Sequence, residues 1–182
     1  MRKFTIPILA AVILCSFTAF SVLEQINRTI DPGYSLKFST SLAGGTFSGL
    51  KGTVVFSPAD LSTARIDVSV DAATINTGSS MKDTHAKGEE WLNVEKFPLV
   101  KFSSTAITKE NDHYLIEGKM ELRGVSKAVK VPAKYEEKDG KGIFTGEFTI
   151  NRQDYGVTGS GLKAKMVGDN VKVSFNIPTS KI

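Results

Sequence analysis

The sequence predicts an all-β fold: about eight antiparallel strands in a meander that curls into a barrel. Three observations carry this. Apolar and polar residues alternate with a period of two in run after run, as in strands with one buried face. The links between runs are short and rich in Gly, Asp, Asn and Ser, which suits antiparallel neighbours, because parallel strands need long crossovers. No long helical pattern falls between the runs, which argues against a doubly wound α/β arrangement. Closing the meander removes the edges that an open sheet would expose. The 182 residues, 41% of them hydrophobic, suffice for one domain with its own core.

The N-terminus reads differently. Arg2 and Lys3 precede an apolar run from Phe4 to about Phe20, ending in Ala19-Phe20-Ser21. A basic start, an apolar middle and small residues two apart predict a secretory signal peptide over residues 1–21, leaving 22–182 as the barrel domain. The alternative is an uncleaved membrane anchor, since the run approaches the ~20 residues that span a bilayer. Cys15 follows Leu14, where a lipoprotein signal needs a small residue. It is also the only cysteine, so the exported chain holds no disulfide and no thiolate metal site.

Residues 22–33 read as a polar lead-in with a turn at Asp31-Pro32-Gly33. Tyr34, Leu36 and Phe38 then alternate with Ser35, Lys37 and Ser39. Gly44-Gly45 breaks the pattern and Thr46 to Phe56 resumes it, with Gly49 and Gly52 marking bends where a sheet must curl. Ile66, Val68, Val70 and Ala72 share one face of the next run, and Asp67, Ser69 and Asp71 the other. A slip of one residue there would put both aspartates in the core, so its register is firmly specified. Later strands begin at Val100-Phe102 and cover Tyr114 to Leu122, Val129 to Tyr135, Ile143 to Ile150 and Val171 to Ile177.

Between them, Met81 to Thr105 abandons the alternation. This charged segment carries His85, the only tryptophan (Trp91) and a Phe97-Pro98 pair leading into a strand. It reads as a short helical or irregular insert that closes or borders the barrel.

Charge excludes one class. The formal net charge is +4, and without Arg2 and Lys3 it falls to 21 basic against 19 acidic residues, or +2. With no basic stripe interleaved with aromatics, nucleic acid is not an expected partner.

Several segments, in order, resemble the YceI family of exported bacterial proteins, over roughly residues 30–178. They are Ile30-Asp31 with Tyr34 to Phe38, Thr46-Phe47-Ser48-Gly49, and the long strand ending in Ile75-Asn76-Thr77-Gly78. Lys82-Asp83-Thr84-His85 and Trp91 to Pro98 follow, running into Phe102 to Thr105. Gly118 to Lys127 and Asn151 to Gly156 complete the set. The resemblance implies a lipocalin-like antiparallel barrel holding a long apolar guest, typically a polyisoprenoid of quinone or polyprenyl type. It also implies a periplasmic or secreted carrier with a part in stress response or lipid handling, and a homodimer is one assembly open to it. The bound lipid is then the only cofactor-like group. Two departures stand out. The family has Arg-Asp before its histidine and Leu after it, where this chain has Lys82-Asp83 and Ala86; lysine keeps the charge but not the bidentate fork. Trp91-Leu92 replaces a common Phe-Phe pair, which changes the shape of any pocket.

The candidate lining of a guest site is Phe38, Phe47, Phe56, His85, Trp91, Leu92, Phe97, Phe102, Met120 and Leu122. Eleven phenylalanines and scattered glycines lean towards a cavity, although composition alone fits rings that fill a dry core, and so does each of these side chains taken singly. Arg152 and Asp154, two apart and so on one face of a strand, are candidates with Lys82 and Asp83 for a polar cluster joining that strand to the Lys82–His85 segment; a surface ion pair between Arg152 and Asp154 is the plainer reading. No catalytic residue is assigned. Glu89 and Glu90 point apart, and the two histidines lack the company that a hydrolase or a metal needs. A structural or adhesive barrel with a filled core, and a secreted enzyme using the His85 region, are the competing functions.

Overall fold

The structure, a computed structural model, describes residues 25–182; the expected signal segment lies outside them. Ten strands form one sheet: β1 (Asn27–Ile30), β2 (Ser35–Ser39), β3 (Gly44–Phe47), β4 (Lys51–Ser57), β5 (Asp60–Asp71), β6 (Leu99–Glu110), β7 (His113–Leu122), β8 (Val125–Lys138), β9 (Lys141–Asn151) and β10 (Asn170–Lys181). Two short helices interrupt them, α1 (Ser80–Lys87) and α2 (Gly161–Val167).

These ten segments fill eight positions of a closed antiparallel barrel. β1 and β2 lie end to end along the same edge of β10. β3 and β4 are likewise one strand interrupted by residues 48–50, pairing with β2 and β1 in turn. From β4 each strand pairs with the next through to β10, and the β1–β10 pairing closes the ring. Gly49, at φ 73°, makes the break that splits the second predicted strand. β1 is a strand that the sequence reading left in the lead-in. At four residues it is too short to show a period, yet it supplies closure.

The barrel has two unlike ends. The tight β4–β5, β6–β7 and β8–β9 hairpins gather at one end. There Phe56, 0% exposed, meets the rings of Tyr114, Tyr135 and Phe144 edge-on at centroid distances of 5.1, 4.7 and 4.9 Å. Such contacts add about 0.5–1.5 kcal/mol each beyond burial. Arg28 of β1 seals this plug from below. It is buried, its Nε donates to the Phe56 carbonyl at 3.2 Å, and its Nη2 donates to Glu137 Oε2 at 2.7 Å. The Tyr135 hydroxyl donates to the same carboxylate oxygen at 2.7 Å, and burial pushes that phenol's pKa up.

The other end carries the long connections: the β5–β6 link with α1, the β9–β10 link with α2, and the β2–β3 turn at residues 40–43. A second cluster forms a collar here, with Met120, Leu122, Ile150, Tyr155 and Val157 packed by Trp91, Leu92 and Phe102.

Candidate functional site

Between plug and collar the barrel is hollow. A cavity of about 840 Å³ runs down the lumen, within the ~300–1,000 Å³ usual for ligand sites. Inward positions of alternate residues make its wall. Ile66, Val68 and Val70 of β5 face it, as do Ile116, Met120 and Leu122 of β7, and Val171, Val173, Phe175 and Ile177 of β10. In register, Val68 lies beside Phe102 and Val70 beside Val100, so the cleanest alternation in the sequence is a strip of lumen wall.

Glycine explains why so many aromatic rings leave a hollow. A Cβ on Gly118 would lie 2.6 Å from Phe102 Cζ, and one on Gly146 would lie 2.7 Å from Phe175 Cζ. Each ring rests on the bare backbone of a neighbouring strand. The same device recurs at Gly159, whose Cβ would lie 2.6 Å from Trp91 Cζ2.

Polar groups cluster towards the open end. Lys82, His85, Glu90, Ser160 and Arg152 all border the cavity there, while the deep wall is aliphatic and aromatic. His85 Nδ1 donates to the Met81 carbonyl at 2.8 Å within α1, leaving Nε2 as the ring's other polar edge. His113 sits at the closed end beside Glu110 and Asp112, so the barrel holds the two histidines apart. Among the described residues no group of three His, Cys, Asp or Glu side chains is placed to hold a metal.

Eight of the ten residues expected in a lining border this cavity: Phe38, Phe47, His85, Trp91, Leu92, Phe102, Met120 and Leu122. Phe56 and Phe97 do not. Phe56 faces inward but too deep, in the plug. Phe97 covers Gly124, where a Cβ would lie 2.8 Å from its Cε1, and so fastens the central insert to the β7–β8 turn.

The expected polar cluster of Lys82, Asp83, Arg152 and Asp154 does not form, and neither does an Arg152–Asp154 ion pair. Asn151 caps a 3-10 turn over Arg152–Tyr155, which turns the two side chains apart. Asp154 is exposed and Arg152 buried. Arg152 donates to the carbonyls of Gly168 (2.8 Å), Val157 (2.6 Å), Thr158 (2.7 Å) and Ala164 (2.9 Å), and pairs with Asp169 at 3.0 Å. Asp83 instead accepts from the Thr77 N–H and hydroxyl, both at 2.7 Å. Those bonds hold its carboxyl below the usual carboxylate range. Lys82 borders the cavity.

The two inserts are joined by other means. The Arg152 guanidinium lies 5.4 Å from the centroid of Trp91. Gly159 N–H donates to the Glu90 carbonyl at 2.9 Å, and Ser160 Oγ to the Glu90 carboxylate at 2.6 Å. Arg123 reaches the carbonyls of Gly156 and Glu89. Sequence reasoning passed over Arg28, Arg123 and Gly159. Arg123-Gly124 left a trace as a turn signal and Gly159 as part of a glycine-rich loop or barrel rim, neither with a partner named.

Three comparisons bear on this geometry. The sequence matches the YceI-like domain family over residues 29–179. It is 33% identical over 165 residues to the UPF0312 protein of Pectobacterium atrosepticum, covering 80% of this chain and 86% of that one. Among solved structures, BcnA of Burkholderia cenocepacia superposes with a TM-score of 0.78 at 22% identity, covering 82% of this chain and 98% of that one. A polyisoprenoid-binding domain from Saccharophagus degradans, implicated in plant cell wall breakdown, gives 0.67 at 12% identity, covering 87% and 100%.

Proposed function

The chain belongs to the YceI family, and on that premise we propose that it is an exported carrier for one long apolar lipid, of polyisoprenoid type, held inside the barrel. The observation that carries this reading is the 840 Å³ apolar lumen, closed at one end and open at the other. A flexible tail insoluble in water gains ~25 cal/mol per Å² of apolar area buried. The polar headgroup, a quinone ring or the terminal group of a polyprenol, sits at the mouth against Lys82 and His85. Binding needs no chemical step. The Saccharophagus degradans domain shares the barrel and is described as polyisoprenoid-binding, which supports the guest class.

The basic-then-apolar residues 1–21 support export by a cleaved signal, with membrane anchoring as the alternative. Membership of the family supports a role in stress response or lipid handling outside the cytoplasm. The hollow lumen weighs against a filled structural barrel. The test is solvent extraction of the purified protein followed by mass spectrometry, with uptake of quinones and polyprenols measured in solution. An isoprenoid in the extract, or saturable uptake at one per barrel, is the expected result. Protein that is both empty and refractory to loading overturns the reading.

A further inference from the structure

Among the described residues, the three most exposed large apolar side chains, apart from the terminal Ile182, come from three separate elements. They are Met81 of α1 (71% exposed), Met166 of α2 (61%) and Leu42 of the β2–β3 turn (58%). All three belong to the open end. Leu42 and Met81 themselves border the cavity, as does Val167 beside Met166. Ser41 Oγ donates to the carbonyls of Met166 (3.1 Å) and Val167 (2.8 Å), so the turn and α2 form one continuous rim. A water-soluble mouth would place polar residues at these positions. Instead, apolar side chains face solvent where the lumen opens.

The charge of the two helices names the partner. α1 carries Lys82 and Lys87 against one acid, Asp83, whose carboxylate is held by Thr77. α2 has Lys163 and Lys165 in its sequence and no acidic residue. Elsewhere at this end Glu90 is bonded to Ser160 and Asp169 is paired with Arg152. Glu89, Glu95 and Asp154 lie off the helices. Apolar tips flanked by lysines are the composition of a segment that seats itself in an anionic lipid interface.

We propose that the rim formed by Leu42, Met81 and Met166 docks the open barrel on an anionic phospholipid bilayer, so that a guest passes between bilayer and lumen without crossing water. This rests on the lipid-carrier reading and adds where the cargo is exchanged.

Hydrogen–deuterium exchange on the full chain tests it, with vesicles of phosphatidylglycerol and phosphatidylcholine in equal parts, and of phosphatidylcholine alone. The expected result is slowed exchange at residues 40–43, 80–87 and 161–167 with the anionic vesicles only. In the Leu42→Ser/Met81→Ser/Met166→Ser variant the vesicle affinity of the rim falls by roughly a hundredfold, while closed-end amides and thermal unfolding stay as in the parent. Quinone uptake from detergent micelles, which needs no bilayer, is measured on both proteins. In the parent, intact uptake with no protection at the rim overturns the docking and leaves the carrier reading standing; failed uptake in the parent overturns the carrier reading. Rim protection that appears without vesicles and grows with protein concentration assigns the surface to a second copy of the chain and also overturns the docking.

Discussion

The guanidinium of Arg152 lies over the indole of Trp91, 5.4 Å from its centroid, while its nitrogens bond four carbonyls of the segment that follows. One side chain thus shapes the β9–β10 connection and presses it on the central insert. Arg152→Ala orphans those carbonyls and is expected to destabilise the protein by about 3 kcal/mol or more. Arg152→Lys recovers only part, since an ammonium cannot span the same fork. Urea unfolding of the three proteins checks the order.

Gly159 is expected to tolerate no side chain. At φ 62° with Trp91 beside it, Gly159→Ala is both strained and crowded, at a cost of about 1–3 kcal/mol. Because Trp91 is the sole tryptophan, its displacement reads directly as a shift of intrinsic emission to longer wavelength.

Phe56 and Phe38 separate stability from binding. Phe56→Ala empties the plug and is expected to cost about 3–5 kcal/mol, measured by thermal or urea unfolding. Phe38→Ala, on the half-buried rim wall beside Phe47, is expected to cost about 1 kcal/mol or less and to weaken quinone binding in a fluorescence titration.

Narrowing the lumen gives a converse. Val173→Trp points an indole into open space bordered by β10, so little strain is expected. Guest affinity is expected to fall by about tenfold or more, because the tail loses apolar contact area, while the unfolding temperature stays close to that of the parent.

Acid acts through the closed end. Hydrogen bonds from Lys181 and then Tyr135, together with Arg28 nearby, hold the Glu137 carboxyl below its ordinary 4.5. The folded state therefore binds its proton less readily than the unfolded chain. That stability is fully present above about pH 5 and is lost as pH falls through the lowered folded value. Glu137→Gln is expected to cost about 2 kcal/mol at neutral pH and to flatten the loss between pH 5 and pH 3. Urea midpoints measured across that range decide it.

The all-β barrel was legible because a period of two reports which face of a strand is buried. Ile66, Val68 and Val70 became lumen wall as their alternation required. The same signal is silent about height along the barrel axis. Phe38 and Phe56 are both inward aromatics in the sequence, and only strand register sends one to the lumen wall and the other to the plug. β1 was missed because closure is a long-range pairing that leaves no local period. Arg152's partners were missed for a related reason. They are backbone carbonyls of a connection whose path no side-chain pattern encodes. Of the residues expected near the mouth, Trp91 and Leu92 were found through their apolar character in a charged segment. Lys82 and Asp83 were paired with the wrong neighbours.

The rings laid on Gly118 and Gly146 set the bore of the barrel. A methyl group at either position would meet both that ring and a backbone carbonyl of the neighbouring strand, Ser103 O beside Gly118 and Pro132 O beside Gly146, so the room for cargo depends on two missing side chains as much as on the large ones in view. Narrowing the bore at these positions therefore asks the paired strand to move along with the ring, which ties the width of the lumen to the register of the sheet.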